Sequence, residues 1–177
     1  TMNTSAENSK HLKDLVREKY SQIADQTRDS NAGSCCGAGC GSVDYTIMAE
    51  DYSDMSGYVS DADLGLGCGL PTQFAKISPG DTVIDLGSGA GNDCFVARSL
   101  TGEEGKVIGV DFTIKMIEKA KLNASKLGFS NIEFRLGDIE NLPLASDIAD
   151  VVVSNCVLNL VPNKQKAFEE TFRVLKN

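Results

Sequence analysis

Four short stretches of this sequence carry side chains and bare backbone that could hold a small molecule by its polar groups. The first is DLGSGAGND, residues 85–93, where Gly87 and Gly89 let a ligand approach the main chain, with Asp85 and Asn92 as further candidate contacts. The second, VIGVD, ends in Asp111, far enough along for its carboxylate to accept both hydroxyls of a ribose. In the third, LGD, Asp138 can accept from an exocyclic adenine amine with the backbone of Ile139 beside it, while Phe112 and Met116 can cover the adenine faces. The fourth, VVVSNC, ends in Asn155 and Cys156.

These groups select among ligands. A nicotinamide dinucleotide would want a third glycine at position 92, where this chain has Asn92, and Asp85 would repel its pyrophosphate. A ribose, an adenine and a charged amino group without phosphate fit better, and S-adenosylmethionine is that ligand. Met116 has the plain alternative of core packing and Asp138 that of capping a helix.

Cysteines form a second constellation. Cys68 sits among glycines in LGLGCGLP, Cys35, Cys36 and Cys40 share a loop rich in Gly, Ser and Asn, and Cys156 follows a strand-like run. Zinc prefers four ligands at defined spacing, whereas the single histidine is His11 and the adjacent Cys35 and Cys36 cannot easily bind one ion together. Cys94, in NDCFVA, reads as a small buried hydrophobe.

Alternating strands and helices must position these groups. Helices are expected at Asn8–Ala24, in PTQFAKI, in NDCFVARSLT up to Gly102, in IKMIEKAKLNASKL up to Gly128, and from Lys164 to Leu175. Residues 45–62 suggest two short helical turns. Strands are expected in DTVIDLGSG, KVIGVDFT, NIEFRLGD and IADVVVSN. That order implies a doubly wound α/β fold with a mostly parallel sheet, whose strand ends carry the ligand. Residues 1–70 read as an N-terminal helix with a Cys/Gly-rich segment, and 71–177 as the cofactor domain.

Length and charge set the outer bounds. A chain of 177 residues suits one main core, and a net charge of −8 without a basic stripe argues against nucleic acid and anionic membranes as partners. The N-terminus has no secretory pattern, so a cytoplasmic protein with reduced thiols is expected.

VIDLGSGAGND, VIGVD and GD resemble the class I S-adenosylmethionine-dependent methyltransferases, which share a Rossmann-like sheet. More narrowly, LGLGCG, DLGSGAGNDCFVA, VIGVDFTIKMIEKA and VVVSNCVLNLVPNKQKAFEETFRVLK resemble arsenite methyltransferases. The resemblance implies that Cys68 and Cys156 bind trivalent arsenic and serve catalysis, with a third sulfur from Cys36 or Cys40, and that arsenite or its thiol conjugates are the substrate in a detoxifying reaction. It also implies a small-thiol or thioredoxin-type reductant as partner. The family's sheet has further strands beyond a segment like FRVLK, so the last strands are expected to be lacking here. Two other readings compete: methylation of an organic small molecule with structural cysteines, and a non-enzymatic thiol protein that binds the metalloid.

Overall fold

The computed structural model describes residues 3–26, 56–64 and 69–177. Strands β1 (Thr82–Leu86), β2 (Lys106–Asp111), β3 (Ile132–Leu136) and β4 (Val151–Ser154) form a sheet in the order β3-β2-β1-β4, parallel at every pairing. Helices α1 (Asn3–Ala24), α2 (Pro71–Phe74), α3 (Asn92–Thr101), α4 (Ile114–Leu127) and α5 (Lys164–Val174) surround it. The doubly wound α/β expectation holds.

Period-two alternation divides the strands between two apolar layers. Val83 and Val107 join Phe95 of α3, Met116 of α4 and Ile23 of α1 on one face, whereas Ile84, Leu86, Ile108 and Val110 meet Ala167 and Val174 of α5 on the other. Turn chemistry sets the helix ends. Gly128 takes the left-handed region with its N–H returned to the carbonyls of Ala124 and Ser125, and Asn163 caps α5 by accepting from the Lys166 N–H.

Several elements differ from expectation. The first helix begins at Asn3, and α2 stops after one turn because Lys76 adopts φ +51°, which no α-helix continues. Residues 56–64 form hydrogen-bonded turns, while the rest of the 45–62 stretch and the cysteine loop lie outside the described residues. After α5 the chain returns beside the lead into β4, where Leu175 makes a parallel bridge to Ala149. Among the described residues no helix is long and apolar enough to cross a membrane.

Phe95 anchors the face that carries the glycine turn. It is fully buried, meets Phe134 edge-on at 6.1 Å between centroids and Phe129 at 6.3 Å, and lies close enough to Gly91 that a Cβ there would come within 3.0 Å of its ring. Truncation would leave a void bounded by two rings and a turn that cannot collapse. Phe95→Ala should therefore cost about 3–5 kcal/mol of stability, read as a fall in the urea midpoint. A loss below about 1 kcal/mol would mean the site repacks freely.

Candidate functional site

The parallel register sets the carboxyl ends of the strands side by side. Leu86 pairs with Val110 of β2 and with Ser154 of β4, and Asp111 pairs with Leu136 of β3. The chain leaving each end therefore converges on one cavity.

The glycine turn forms its floor. Gly87, Ser88 and Gly89 line it, and the N–H groups of Gly87 and Ser88 are bound by the carbonyl of Val110. Gly87 has φ +75°, and a Cβ there would lie 2.7 Å from Val157, so only glycine lets Val157 pack down onto the turn. That contact brings the preceding residue, Cys156, to the same cavity. Cys156 itself takes φ +56°, a conformation that costs a side-chain-bearing residue about 1–3 kcal/mol.

Asp111 is buried and fixed on both oxygens, accepting from the Gly89 N–H at 3.0 Å and the Thr113 N–H at 2.8 Å. Burial pushes its pKa up, and these N–H donors oppose the shift. Phe112 and Met116 line the cavity beside it, Met116 being fully buried, so cavity wall and core packing are one role here.

At the third strand end, Asp138, Ile139 and Glu140 line the cavity. Asp138 accepts from the Glu140 N–H at 2.9 Å and from Lys13 of α1 at 2.6 Å, and Lys13 also reaches Glu140 at 2.9 Å. Burial works against the Lys13 charge, but these two carboxylates outweigh it and its pKa rises. Helix α1 is thus a wall of the cavity, with Val16 and Tyr20 lining it and Arg17 lying 5.5 Å over the Phe112 ring.

Asn155 bridges two segments, donating to the Gly69 carbonyl at 3.0 Å and to Asp93 at 3.1 Å. Asn92 and Asp93 line the cavity from the first turn of α3. Asp85 does not line it. Its carboxylate is 1% exposed behind the wall, accepting from the Cys94 thiol at 3.3 Å. Burial drives the Asp85 pKa well up, and the Asp93 charge pushes it further.

Among the expected cysteines, Cys156 reaches the cavity and is disulfide-bonded, its partner lying outside the described residues. Cys35, Cys36, Cys40 and Cys68 also lie outside them. Cys94 is a free thiol. Among the described residues no group of three or more His, Cys, Asp or Glu side chains is arranged to hold a metal ion.

Two polar atoms of cavity-lining residues are also informative. Ser88 Oγ and Asn92 Oδ1 are buried with no hydrogen-bond partner among the described residues, which is costly unless something else bonds them. A ligand with a ribose near Asp111, an aromatic base between Phe112 and Met116, and a polar tail toward Asn92 and Asp93 suits this arrangement. S-adenosylmethionine has those parts. Sequence reasoning missed Asp93, Lys13 and Glu140. Asp93 had a signal, since it follows Asn92 at the start of a helix; Lys13 had none, being 125 residues from Asp138.

Comparison with known proteins places the chain in a family. A family model described as a methyltransferase domain matches residues 77–177. An arsenite methyltransferase of Halobacterium salinarum is 46% identical over 173 residues, which are 93% of this chain and 44% of the relative. One from Aquipseudomonas alcaligenes is 33% identical over 93% of this chain and 48% of its own length. The crystal structure of an arsenic(III) S-adenosylmethionine methyltransferase from Chlamydomonas reinhardtii superposes with a TM-score of 0.57 at 42% identity, covering 62% of this chain and 39% of that one. The chain therefore spans less than half the length of these two curated relatives.

The raised pKa of Asp85 has a stability consequence. The folded state holds that proton more tightly than the unfolded chain, so the contribution is complete at acid pH and is lost as pH rises through the folded-state value. Asp85→Asn should be more stable than the parent at neutral pH, by on the order of 1 kcal/mol, with the gap closing on acidification. Thermal unfolding across pH measures it, and a gap of constant size would refute the assignment.

Proposed function

We propose, from the premise that this chain belongs to the methyltransferase-domain family and is a homologue of arsenite methyltransferases, that it binds S-adenosylmethionine and methylates trivalent arsenic held by thiolates. The observation that carries the reading is the opening of Cys156 into the same cavity as the glycine turn, Asp111 and Asp138.

In this reading Gly87, Gly89 and Asn92 receive the amino-acid end of the cofactor, with Asn155 beside them and Asp85 behind. Asp111 takes the ribose hydroxyls, Phe112 and Met116 the adenine faces, and Asp138 with the Ile139 backbone the adenine edge. When bound, S-adenosylmethionine supplies an electrophilic methyl group. The remaining work falls to this chain's sulfurs. Cys68 and Cys156, joined by Cys36 or Cys40, would ligate arsenic in a pyramid that leaves its lone pair free and aimed at the cavity. Little proton transfer is required, so catalysis is mainly positioning. Thiolates must be reduced to act, which suits a cytoplasmic setting and a small-thiol or thioredoxin-type reductant.

Under reducing conditions, arsenite titration followed by native mass spectrometry should show one arsenic bound with two or three protons lost. Cys68→Ser and Cys156→Ser should each abolish that binding while leaving the affinity for S-adenosylmethionine within about threefold, since neither sulfur is asked to hold the cofactor. Arsenic binding that survives both substitutions would sink the thiolate site, and a folded chain that binds no S-adenosylmethionine would sink the whole reading.

A further inference from the structure

At and behind one wall of the cavity lies a group of acids, of which Asp85 does not line the cavity and has no contact role in the proposed chemistry. Asp85 near the end of β1 is 1% exposed, Asp93 in the first turn of α3 and Asp111 at the end of β2 are each 8% exposed, and the fully buried Cys94 follows Asp93 on α3. Among the described residues the side-chain donor to Asp85 is the Cys94 thiol, at 3.3 Å. Neither Asp85 nor Asp111 forms an ion pair with a described residue.

A separate observation indicates that the wall in front of this group receives a ligand. Ser88, 7% exposed and lining the cavity, has an Oγ with no partner among the described residues. Buried carboxylates such as Asp85 and Asp111, with no ion pair to a described residue, suit a ligand that brings positive charge to this cavity.

We propose that Cys94 is a positioning residue for the ammonium end of the cofactor: its thiol proton holds the Asp85 carboxylate behind Asp93, so that the pair presents negative charge to that cation. The inference rests on S-adenosylmethionine occupying the cavity. Burial and the Asp93 and Asp111 charges all favour protonation of Asp85, and the thiol hydrogen bond is the opposing influence. The thiol can play that part because its own pKa is driven far up by burial and by Asp85, so it keeps its proton as a donor. The groups facing Asp85 are Asp93 and Cys94 from α3 and Asp111 from β2. Ammonium binding at this wall is then linked to release of a proton from Asp85, and affinity weakens as pH falls.

The test is calorimetric binding of S-adenosylmethionine, S-adenosylhomocysteine and adenosine to the parent chain, Cys94→Ala and Cys94→Ser, from mildly acidic to mildly alkaline pH. Cys94→Ala should weaken both amino-acid-bearing ligands about tenfold at neutral pH, the effect of losing a hydrogen bond to a charged group, and should move the acid limb of the profile upward. Adenosine, which has no ammonium, should bind the variant within about twofold of the parent, and Cys94→Ser, which restores a donor, should stay within about threefold for all ligands. An unchanged pH profile in Cys94→Ala, an equal loss for adenosine, or a Cys94→Ser that behaves like Cys94→Ala would each overturn the proposal. Failure of the underlying reading looks different, because the parent itself would then bind no S-adenosylmethionine at any pH.

Discussion

The contact between Gly87 and Val157 is the constraint on which the cavity depends. Parallel pairing of β1 with β4 brings their carboxyl ends together, but pairing alone fixes only the strands. The absence of a side chain at Gly87 lets the chain leaving β4 lie on the turn leaving β1. From that packing follow the place of Cys156, the left-handed turn it adopts, and the reach of Asn155 to both Asp93 and the Gly69 carbonyl. One missing Cβ therefore joins a sulfur to the polar end of the cavity.

Charge is arranged with comparable economy around the same end. The chain keeps Asp85, Asp93 and Asp111 inside the fold, where water cannot stabilise them, and meets them with backbone N–H groups, the Cys94 thiol and the Asn155 amide. At the opposite end the acids Asp138 and Glu140 are met by Lys13. Among the described residues a lysine thus meets the acids at one end of the cavity and neutral donors meet Asp85 and Asp111 at the other, which gives a cationic ligand a direction as well as a place.

Three of the strands were legible as β-branched runs, β3 by its alternation of Ile132, Phe134 and Leu136 with charged residues, and two of the helices because glycines stop them at Gly102 and Gly128. Parallel order then follows from the alternation, and with it the convergence of Gly87, Asp111, Asp138 and Asn155. What the sequence could not convey is which way each side chain turns. Asp85 points to the layer under the cavity because alternation along β1 puts Ile84 and Leu86 on the other face. Cys94, read as a small apolar filler, is a hydrogen-bond donor for that reason alone. Helix α1 showed its periodicity but not its address, because amphipathic spacing identifies a buried face without naming what covers it.

That address affects how the molecule assembles. Lys13 and Asp138 are 125 residues apart, so the wall they close is among the most non-local contacts in the chain, and its loop-closure entropy is met only after the sheet has formed. Local openings are drawn from such late, ion-paired and partly exposed contacts, because they give up the least buried apolar surface. Helix α1 is held unevenly in these terms: its last turn buries Ile23 and Ala24 in the main core, while the stretch around Lys13 is joined to the cavity rim through ion pairs, the kind of contact that opens at the least apolar cost.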